Sequence, residues 1–324
     1  MKINCLICKR DDSIKFIDNY KFNVKSDVNY FGNIKIHGCD DCDFYFASPM
    51  PLDEKLNYFY RKIYRAPGRP HYIYSEDLND SSIYSSKNLN YILYLSSFID
   101  FSKVKNILDF GAGSGDLGYL IKKNFNHIQL HSFENDQFSQ EILKKRSYIN
   151  YNKINQINTK FDLIFSLHSL EHLTDLSIME VFKNLTANNG NFFFEVPNCP
   201  FKKKFIERPY DSPHLLFFTK NSLEKISKSI NFKLINLSYA SYGLDESFFY
   251  MSQSKKNHEN WKPSSVHKTR LYLKRTIKKF IPEIILNLKQ NYNNYNLESK
   301  KNNFQNNFDE KWCIRGIFSN KEEI

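Results

Sequence analysis

The sequence predicts an α/β protein: a doubly wound, mostly parallel sheet of seven strands, with a small cysteine-rich module in front of it. Three observations predict this. Short apolar runs alternate with amphipathic segments from residue 82 to residue 240. The first run, Asn106-Ile-Leu-Asp-Phe110, ends in Gly111-Ala-Gly-Ser-Gly115 and turns straight into an apolar-periodic helix. Strand, glycine turn and helix in that order suit a nucleotide-type ligand. Upstream, Cys5-Leu-Ile-Cys8 and Cys39-Asp-Asp-Cys42 form two CxxC pairs separated by 30 residues.

Composition narrows the function classes. Of 324 residues, 41% are hydrophobic and 16% aromatic, enough for a core, which excludes wholesale disorder. The net charge is +11, but residues 252–308 hold 12 Lys/Arg against 3 Asp/Glu, or +9, so the remainder carries only +2. A basic face around a nucleic-acid active site is therefore not expected, and no nucleic-acid partner is. The start, MKINCLICKR, has no apolar h-region, and no run of 18 apolar residues occurs. A cytoplasmic location is expected, where cysteines serve as metal ligands or free thiols more often than in disulfides.

Residues 1–70 read as one module. Two thiolates three positions apart can reach one tetrahedral ion, and two such pairs close a structural zinc site from Cys5, Cys8, Cys39 and Cys42. Strand-like stretches at 14–22 and 33–37 lie between the pairs, as in a zinc ribbon. An aromatic strand from Phe44 is stopped by Pro49 and Pro51. Leu56, Phe59, Tyr60 and Ile63 then share one face of a helix over 52–64. Residues 65–71 are a breaker cluster, read as a linker or a substrate-side loop.

The second unit spans 75–251. A helix over 82–99 leads into the opening strand, and the helix after the glycine loop runs to about Phe125. The strand over 128–133 ends at Glu134, roughly 20 residues past the loop, where this class of fold sets a carboxylate on a ribose diol. A helix over 138–146, a weak strand over 148–157 and a near-continuous apolar strand over 161–166 follow. The helix over 178–185 is expected to end in a cap and turn at Asn188-Asn189-Gly190. A strand over 191–196 is closed by Pro197, Asn221 is expected to cap a helix running to Ile230, and a strand covers 232–239. Residues 252–308 break the rhythm as an insertion. They contain a basic amphipathic helix within 266–288, interrupted by Pro282, and an Asn-rich stretch over 287–307. The last unit, 309–324, supplies a strand over 311–318 that is expected to pair antiparallel with the 232–239 strand.

Five motifs now stand in order: Asp109-Phe-Gly-Ala-Gly-Ser-Gly115, Glu134, Leu170-Glu-His-Leu173, Glu195-Val-Pro-Asn198, and His214-Leu-Leu-Phe-Phe-Thr-Lys-Asn-Ser-Leu223. Together, over residues 82–240, they resemble the class I S-adenosylmethionine (SAM) methyltransferases, whose sheet is Rossmann-like. The CxxC pairs, aromatic strand, Pro-x-Pro and Tyr-rich helix resemble the sugar methyltransferase group, which acts on nucleotide-linked sugars by C- or O-methylation. The resemblance implies methyl transfer from SAM to a sugar or glycan precursor in cell-surface polysaccharide biosynthesis. It implies cofactor contacts from Asp109, Gly111, Ala112, Gly113, Gly115, Glu134, Asn135, Leu167 and His168. His214 is implied as the general base, with His172 and His168 as further candidates. Glu171 beside His172 reads as a hydrogen-bonded helix start, with ligation of a divalent ion as the alternative. Asp211 stands where the C-methylating enzymes carry a Tyr, with Tyr210 adjacent, so O- and C-methylation both stay open.

Two other readings remain at this level. Gly113-Ser-Gly115-Asp-Leu-Gly118 has the G-x-G-x-x-G form of an NAD-dependent sugar-nucleotide oxidoreductase, and charge together with zinc would suit an RNA methyltransferase. The basic helix within 266–288 is a candidate for peripheral contact with an anionic membrane surface, a glycan-assembly partner or a second subunit.

Overall fold

Successive residues of a strand face opposite sides of a sheet, so a run with no polar alternation needs cover on both faces. Residues 161–166 and 191–196 meet that description, and they lie side by side in the middle of one sheet. The computed structural model describes residues 2–22, 24–69, 71–72, 82–199, 213–241, 244–245 and 313–320. Tyr210, Asp211, the basic helix within 266–288 and the Asn-rich stretch lie outside the described residues.

The small sheet comes first. Strands β1 (Ile14–Asn19), β2 (Lys35–Cys39) and β3 (Phe44–Ser48) pair antiparallel in sequence order. Between β1 and β2 lies a single helical turn, α1 (Val28–Phe31). The expected helix over 52–64 is α2 (Asp53–Tyr58), continued as a π-helical turn over Phe59–Ile63. That wider turn is a local change of winding of the kind found at functional sites.

The large sheet contains β4 (Asn106–Phe110), β5 (Gln129–Phe133), β6 (Ile149–Tyr151), β7 (Phe161–Leu167), β8 (Thr186–Pro197), β10 (Lys233–Ser241), β11 (Leu244–Asp245) and β12 (Cys313–Ser319), while the two-residue β9 (Leu216–Phe217) belongs to the small sheet. Its order is β11-β10-β12-β8-β7-β4-β5-β6. β4 to β8 pair parallel, and β12 runs antiparallel to both of its neighbours. The seven main strands are those expected, with the two-residue β11 added at one edge. The last strand does pair with the 232–239 strand, and it inserts between β8 and β10.

Helices cover both faces. Ile107, Leu163, Phe165, Phe193 and Ile317 pack on one side against α3 (Ser86–Leu95), α4 (Asp116–Asn124) and Leu143 of α5 (Gln137–Lys145). Their neighbours Leu108, Ile164, Phe192, Phe194 and Phe318 pack on the other side against α6 (Ile178–Leu185) and α7 (Lys220–Ser229). The cysteine pairs sit in that second cluster, so the small module is joined to the large sheet through apolar contact.

Of the boundaries that differ from expectation, three have a clear local reason. α7 is capped by Thr219, not Asn221: Thr219 accepts from the Ser222 N–H at 3.1 Å while the Ser222 hydroxyl accepts from the Thr219 N–H at 2.9 Å. This is a reciprocal capping box. α6 stops at Thr186, whose hydroxyl donates to Phe182 O at 2.7 Å, and the left-handed residue Asn189 (φ 64°) bends the early part of β8. The weak strand over 148–157 is only three residues long, because Ile154–Gln156 winds into a 3₁₀ turn.

Candidate active site

The glycine loop leaves β4 and enters α4 at the carboxyl ends of the parallel strands, where open α/β sheets bind ligands. Gly111 has φ +69°, and a Cβ there would lie 2.1 Å from Ser169 Oγ. Gly115 has φ +70°, and a Cβ would lie 2.6 Å from Leu143 Cδ2 and 2.9 Å from the Tyr148 ring. Both positions need glycine for conformation and for space. The loop is tied to β5 from both sides: Gly113 N–H donates to Glu134 Oε2 at 2.7 Å, and Asp136 N–H donates to Oε1 at 2.8 Å. Burial raises the Glu134 carboxyl above its ordinary range, against the pull of these N–H groups and of Arg65. A carboxylate has about four lone-pair directions, so two directions remain for a diol. The cradle fits SAM in this respect.

Asp109 sits beneath the loop. Burial and the Glu134 charge push it well above the carboxylate range, with the Tyr148 hydroxyl 3.5 Å from Oδ2 and donating to Gly115 O at 2.9 Å. Ala112 and Asn135 are half-buried beside the loop. Two groups at this end were not singled out in the sequence. Asp136 caps α5 by accepting from Ser139 N–H at 2.7 Å. Arg65, from the breaker cluster, places its guanidinium Nη2 2.9 Å from the position of a Gly113 Cβ and its Nε 3.9 Å from Asp136. An Arg in a loop flanked by Pro and Gly carries no sequence sign of where it reaches.

Beyond β7 the chain turns through Leu167 and His168, and His168 adopts a left-handed φ of 54°. A non-glycine residue held in that region is a recognised mark of functional sites. Ser169 Oγ lies 3.3 Å from both Gly111 O and Leu167 O, which joins this turn to the glycine loop. His168 Nε2 is 3.0 Å from Glu195 Oε1 and its Nδ1 is 3.6 Å from Glu171 Oε1. Burial opposes charge on His168, but Cys313, Glu171 and Glu195 outweigh it and raise the imidazole well above its ordinary value. His168 is thus charged near neutrality and is poorly suited to accept a proton.

His172 and His214 meet ring to ring, with centroids 4.8 Å apart. The segment bearing His214 is fixed from two sides. Leu215 N–H donates to Glu171 O at 2.7 Å, and the Tyr20 hydroxyl donates to His214 O at 2.7 Å. Two residues further on, β9 pairs antiparallel with β3, so the small sheet has the order β1-β2-β3-β9. The amino-terminal module therefore holds the His214 segment by backbone pairing. It also lines the histidines: Tyr60 and Tyr64 stand edge-on to His172 at 5.7 and 5.9 Å, and Tyr64 stacks on His71 at 4.5 Å.

Burial, and after it the repulsion a proton would meet from a nearby imidazole (His214 beside His172, His168 beside His214), pushes both His172 and His214 down to about 3. Both are neutral at working pH, which leaves a lone pair free to accept a proton, although so depressed an imidazole is a weak base and needs a neighbouring negative charge to hold the proton it takes. The linkage has a definite sign. The unfolded chain takes a proton on each near 6.5, and the folded chain does so only near 3. Stability present above pH 6.5 therefore declines as pH falls through that window. His37 and His131, also lowered by burial, add the same sign. His168, being raised, changes stability only above pH 6.5. Asp109 and Glu134, raised by burial, act with the opposite sign as pH falls, so the test is a difference: between pH 7 and pH 5 the urea midpoint of the wild type should fall relative to that of His172→Asn. Parallel pH dependence in the two proteins would contradict this account.

The four cysteines of the amino-terminal module converge, with Sγ atoms all within 4.8 Å of one another. Cys8 and Cys39 sulfurs are 3.8 Å apart. Tetrahedral zinc with Zn–S of about 2.3 Å sets neighbouring sulfurs about 3.8 Å apart, so the cluster fits that ion. Burial raises the Cys5 thiol to about 11 and Cys42 further, and metal binding would reverse this by holding the thiolates.

Residues 84–237 match the family model described as a methyltransferase domain. With the strand order and the glycine loop, this makes the chain a SAM-dependent methyltransferase. No curated protein matches the sequence. Among solved structures, the plantazolicin methyltransferase BamL with SAH is 15% identical, with a TM-score of 0.48 over 76% of this chain and 92% of that one. Haemonchus contortus phosphoethanolamine N-methyltransferase 2 with SAM is 13% identical, with a TM-score of 0.45 over 95% of this chain and 69% of that one. Coclaurine N-methyltransferase bound to N-methylheliamine and SAH is 12% identical, with a TM-score of 0.43 over 71% and 72%. At such identities and scores these likenesses carry nothing about the acceptor. Among the described residues no helix is long and apolar enough to cross a membrane.

Proposed function

We propose that the protein transfers the SAM methyl group to oxygen or carbon of a sugar or glycan precursor in cell-surface polysaccharide biosynthesis. A structural zinc ion held by Cys5, Cys8, Cys39 and Cys42 is part of this reading. The observation that carries it is the joint construction of the acceptor side. The amino-terminal module supplies Tyr60, Tyr64 and His71 around the His172–His214 pair, and pairs β3 with the strand that follows His214. Aromatic faces beside neutral imidazoles suit a compact polyol.

SAM supplies an already activated methyl group, so the chain has to orient the acceptor and remove its proton. Gly111, Ala112, Gly113 and Gly115 give the backbone cradle. Glu134 with Asn135 holds the ribose, Asp109 supports the loop from below, and Leu167 with His168 closes the strand end. His214 takes the acceptor proton, and Glu171, whose Oε1 lies 3.9 Å from its Nε2, stabilises the imidazolium so formed. His172 packs against His214 and keeps that ring in place, and His168 anchors Glu195.

The test is purified protein with labelled SAM and a panel of sugar nucleotides, with mass spectrometry locating the methyl group. His214→Asn should lower the transfer rate by about 10²–10⁴, the usual worth of a positioned base, with SAM affinity unchanged. Methylation of RNA and of no sugar acceptor would overturn the acceptor class. Nicotinamide turnover without methyl transfer would overturn the reaction.

A further inference from the structure

We infer that Glu171, His172 and His214 hold a divalent transition-metal ion beside the acceptor position. One ligand atom from each lies within 4.8 Å of the other two. The decisive group is Glu171. Its side chain is 1% exposed, and among the described residues neither carboxylate oxygen has a hydrogen-bond partner. A buried carboxylate without hydrogen bonds is strongly unfavourable, and a cation at bonding distance removes that penalty. His168 Nδ1 at 3.6 Å offsets part of the charge of Oε1, but neither it nor His214 Nε2 at 3.9 Å comes within hydrogen-bond length, so the lone pairs of both oxygens stay unused.

The tautomer of His172 agrees. Its Nδ1 lies 3.4 Å from Pro213 O, which can only accept, so Nδ1 carries the proton and Nε2 keeps its lone pair. A backbone carbonyl on the far nitrogen is the partner a ligating imidazole usually has. Two imidazoles and one carboxylate with positions left open favour Zn²⁺, Co²⁺, Ni²⁺ or Fe²⁺ over Mg²⁺ or Ca²⁺. The neighbouring group His168, Glu195 and Cys313 is no equivalent, because Arg315 and Tyr91 already engage Glu195.

The inference goes beyond the proposed function. An ion here would use the lone pair that His214 otherwise offers to the acceptor proton. In exchange it would present the acceptor oxygen with a Lewis acid, which lowers the pKa of a bound hydroxyl so that its proton is lost to solvent and not to His214. Both changes fall on the transfer step and neither on SAM binding.

The test uses the full chain with zinc in the cysteine module, titrated with Co²⁺ in the absence of SAM and acceptor. The expected result is one further equivalent of Co²⁺, giving visible d–d bands without added thiolate charge-transfer absorption. Glu171→Gln and His172→Ala should each weaken that equivalent at least tenfold, with SAM affinity confirming that each variant is folded. The methyl-transfer rate should respond to the ion with the same midpoint. Absence of the further equivalent in the wild-type chain, or an equivalent that both variants retain, would overturn the inference. Either result leaves the methyl-transfer reading standing, since binding is read without substrate.

Discussion

Cys42→Ser is expected to abolish methyl transfer and release the zinc ion, while the affinity for SAM falls much less. Structural zinc in small modules contributes about 10–16 kcal/mol of apparent folding free energy. Loss of one of four ligands therefore removes most of what holds the amino-terminal module. Cys42 lies two residues before β3, and β3 is the strand on which β9 is paired. His214 lies two residues before β9. The damage is thus transmitted along backbone hydrogen bonds to the proposed base, while the glycine loop keeps its own ties to Glu134 and Ser169. Metal analysis after gel filtration in chelator should find zinc in the wild-type chain and none in the variant. Calorimetry with SAM and a transfer assay complete the measurement. A zinc-free variant that methylates at the wild-type rate would refute both the structural role of the metal and the coupling.

This coupling explains why a methyltransferase domain would carry a cysteine module at all. Tyr20, Tyr60, Tyr64 and Arg65 all come from residues before the domain match at 84–237, and they stand at the histidine pair or the glycine loop. The glycine loop is built by the domain with one side chain, Arg65, reaching in from the preceding residues. The histidine pair, which is the proposed acceptor side, draws on both parts of the chain.

The parts of this arrangement that sequence reveals are those with a local physical signature. Phe161-Asp-Leu-Ile-Phe-Ser166 and Asn191-Phe-Phe-Phe-Glu-Val196 have no polar alternation, so they had to be central strands. The glycine loop, Glu134 and the cysteine pairs have fixed spacings that follow from the ligand geometry. β9 has no such signature: two apolar residues gain strand character only because β3 offers an edge. The capping error at Asn221 arose because Thr219 and Asn221 are both competent caps. Ser222, three residues after Thr219, was the signal that separates them. Arg65 was unreadable because its role depends on how a loop folds back over Gly113. Arg315 was readable, since an arginine inside Cys-Ile-Arg-Gly-Ile-Phe must find an acid, and Glu195 inside Phe-Phe-Phe-Glu-Val must find a base.

Those two residues give the second large effect. Arg315 and Glu195 are directly opposite in the β12–β8 register, 0% and 2% exposed. Arg315 Nε and Nη2 donate to Glu195 Oε2 at 3.0 and 2.6 Å, and its guanidinium lies over the rings of Tyr91 and Tyr94 at 4.7 and 5.0 Å. The Tyr91 hydroxyl donates to Oε1. Burial alone would raise Glu195, but Arg315 and then His168 hold it well below the carboxylate range. Arg315→Met should therefore cost about 3–5 kcal/mol, because it leaves a buried carboxylate without its paired guanidinium. That is a large share of the roughly 5–15 kcal/mol by which a domain is stable. The double variant Glu195→Met with Arg315→Met should recover much of the loss, since neither position then carries a charge and His168 keeps Glu171 at 3.6 Å to face it. The same double variant removes the Glu195 contact to His168, so its transfer rate should stay low even where its urea midpoint recovers. Stability and activity then separate, which a purely structural pair would not produce. If Arg315→Met unfolds within 1 kcal/mol of wild type, the buried pair is not the girder between β8 and β12 that its geometry indicates.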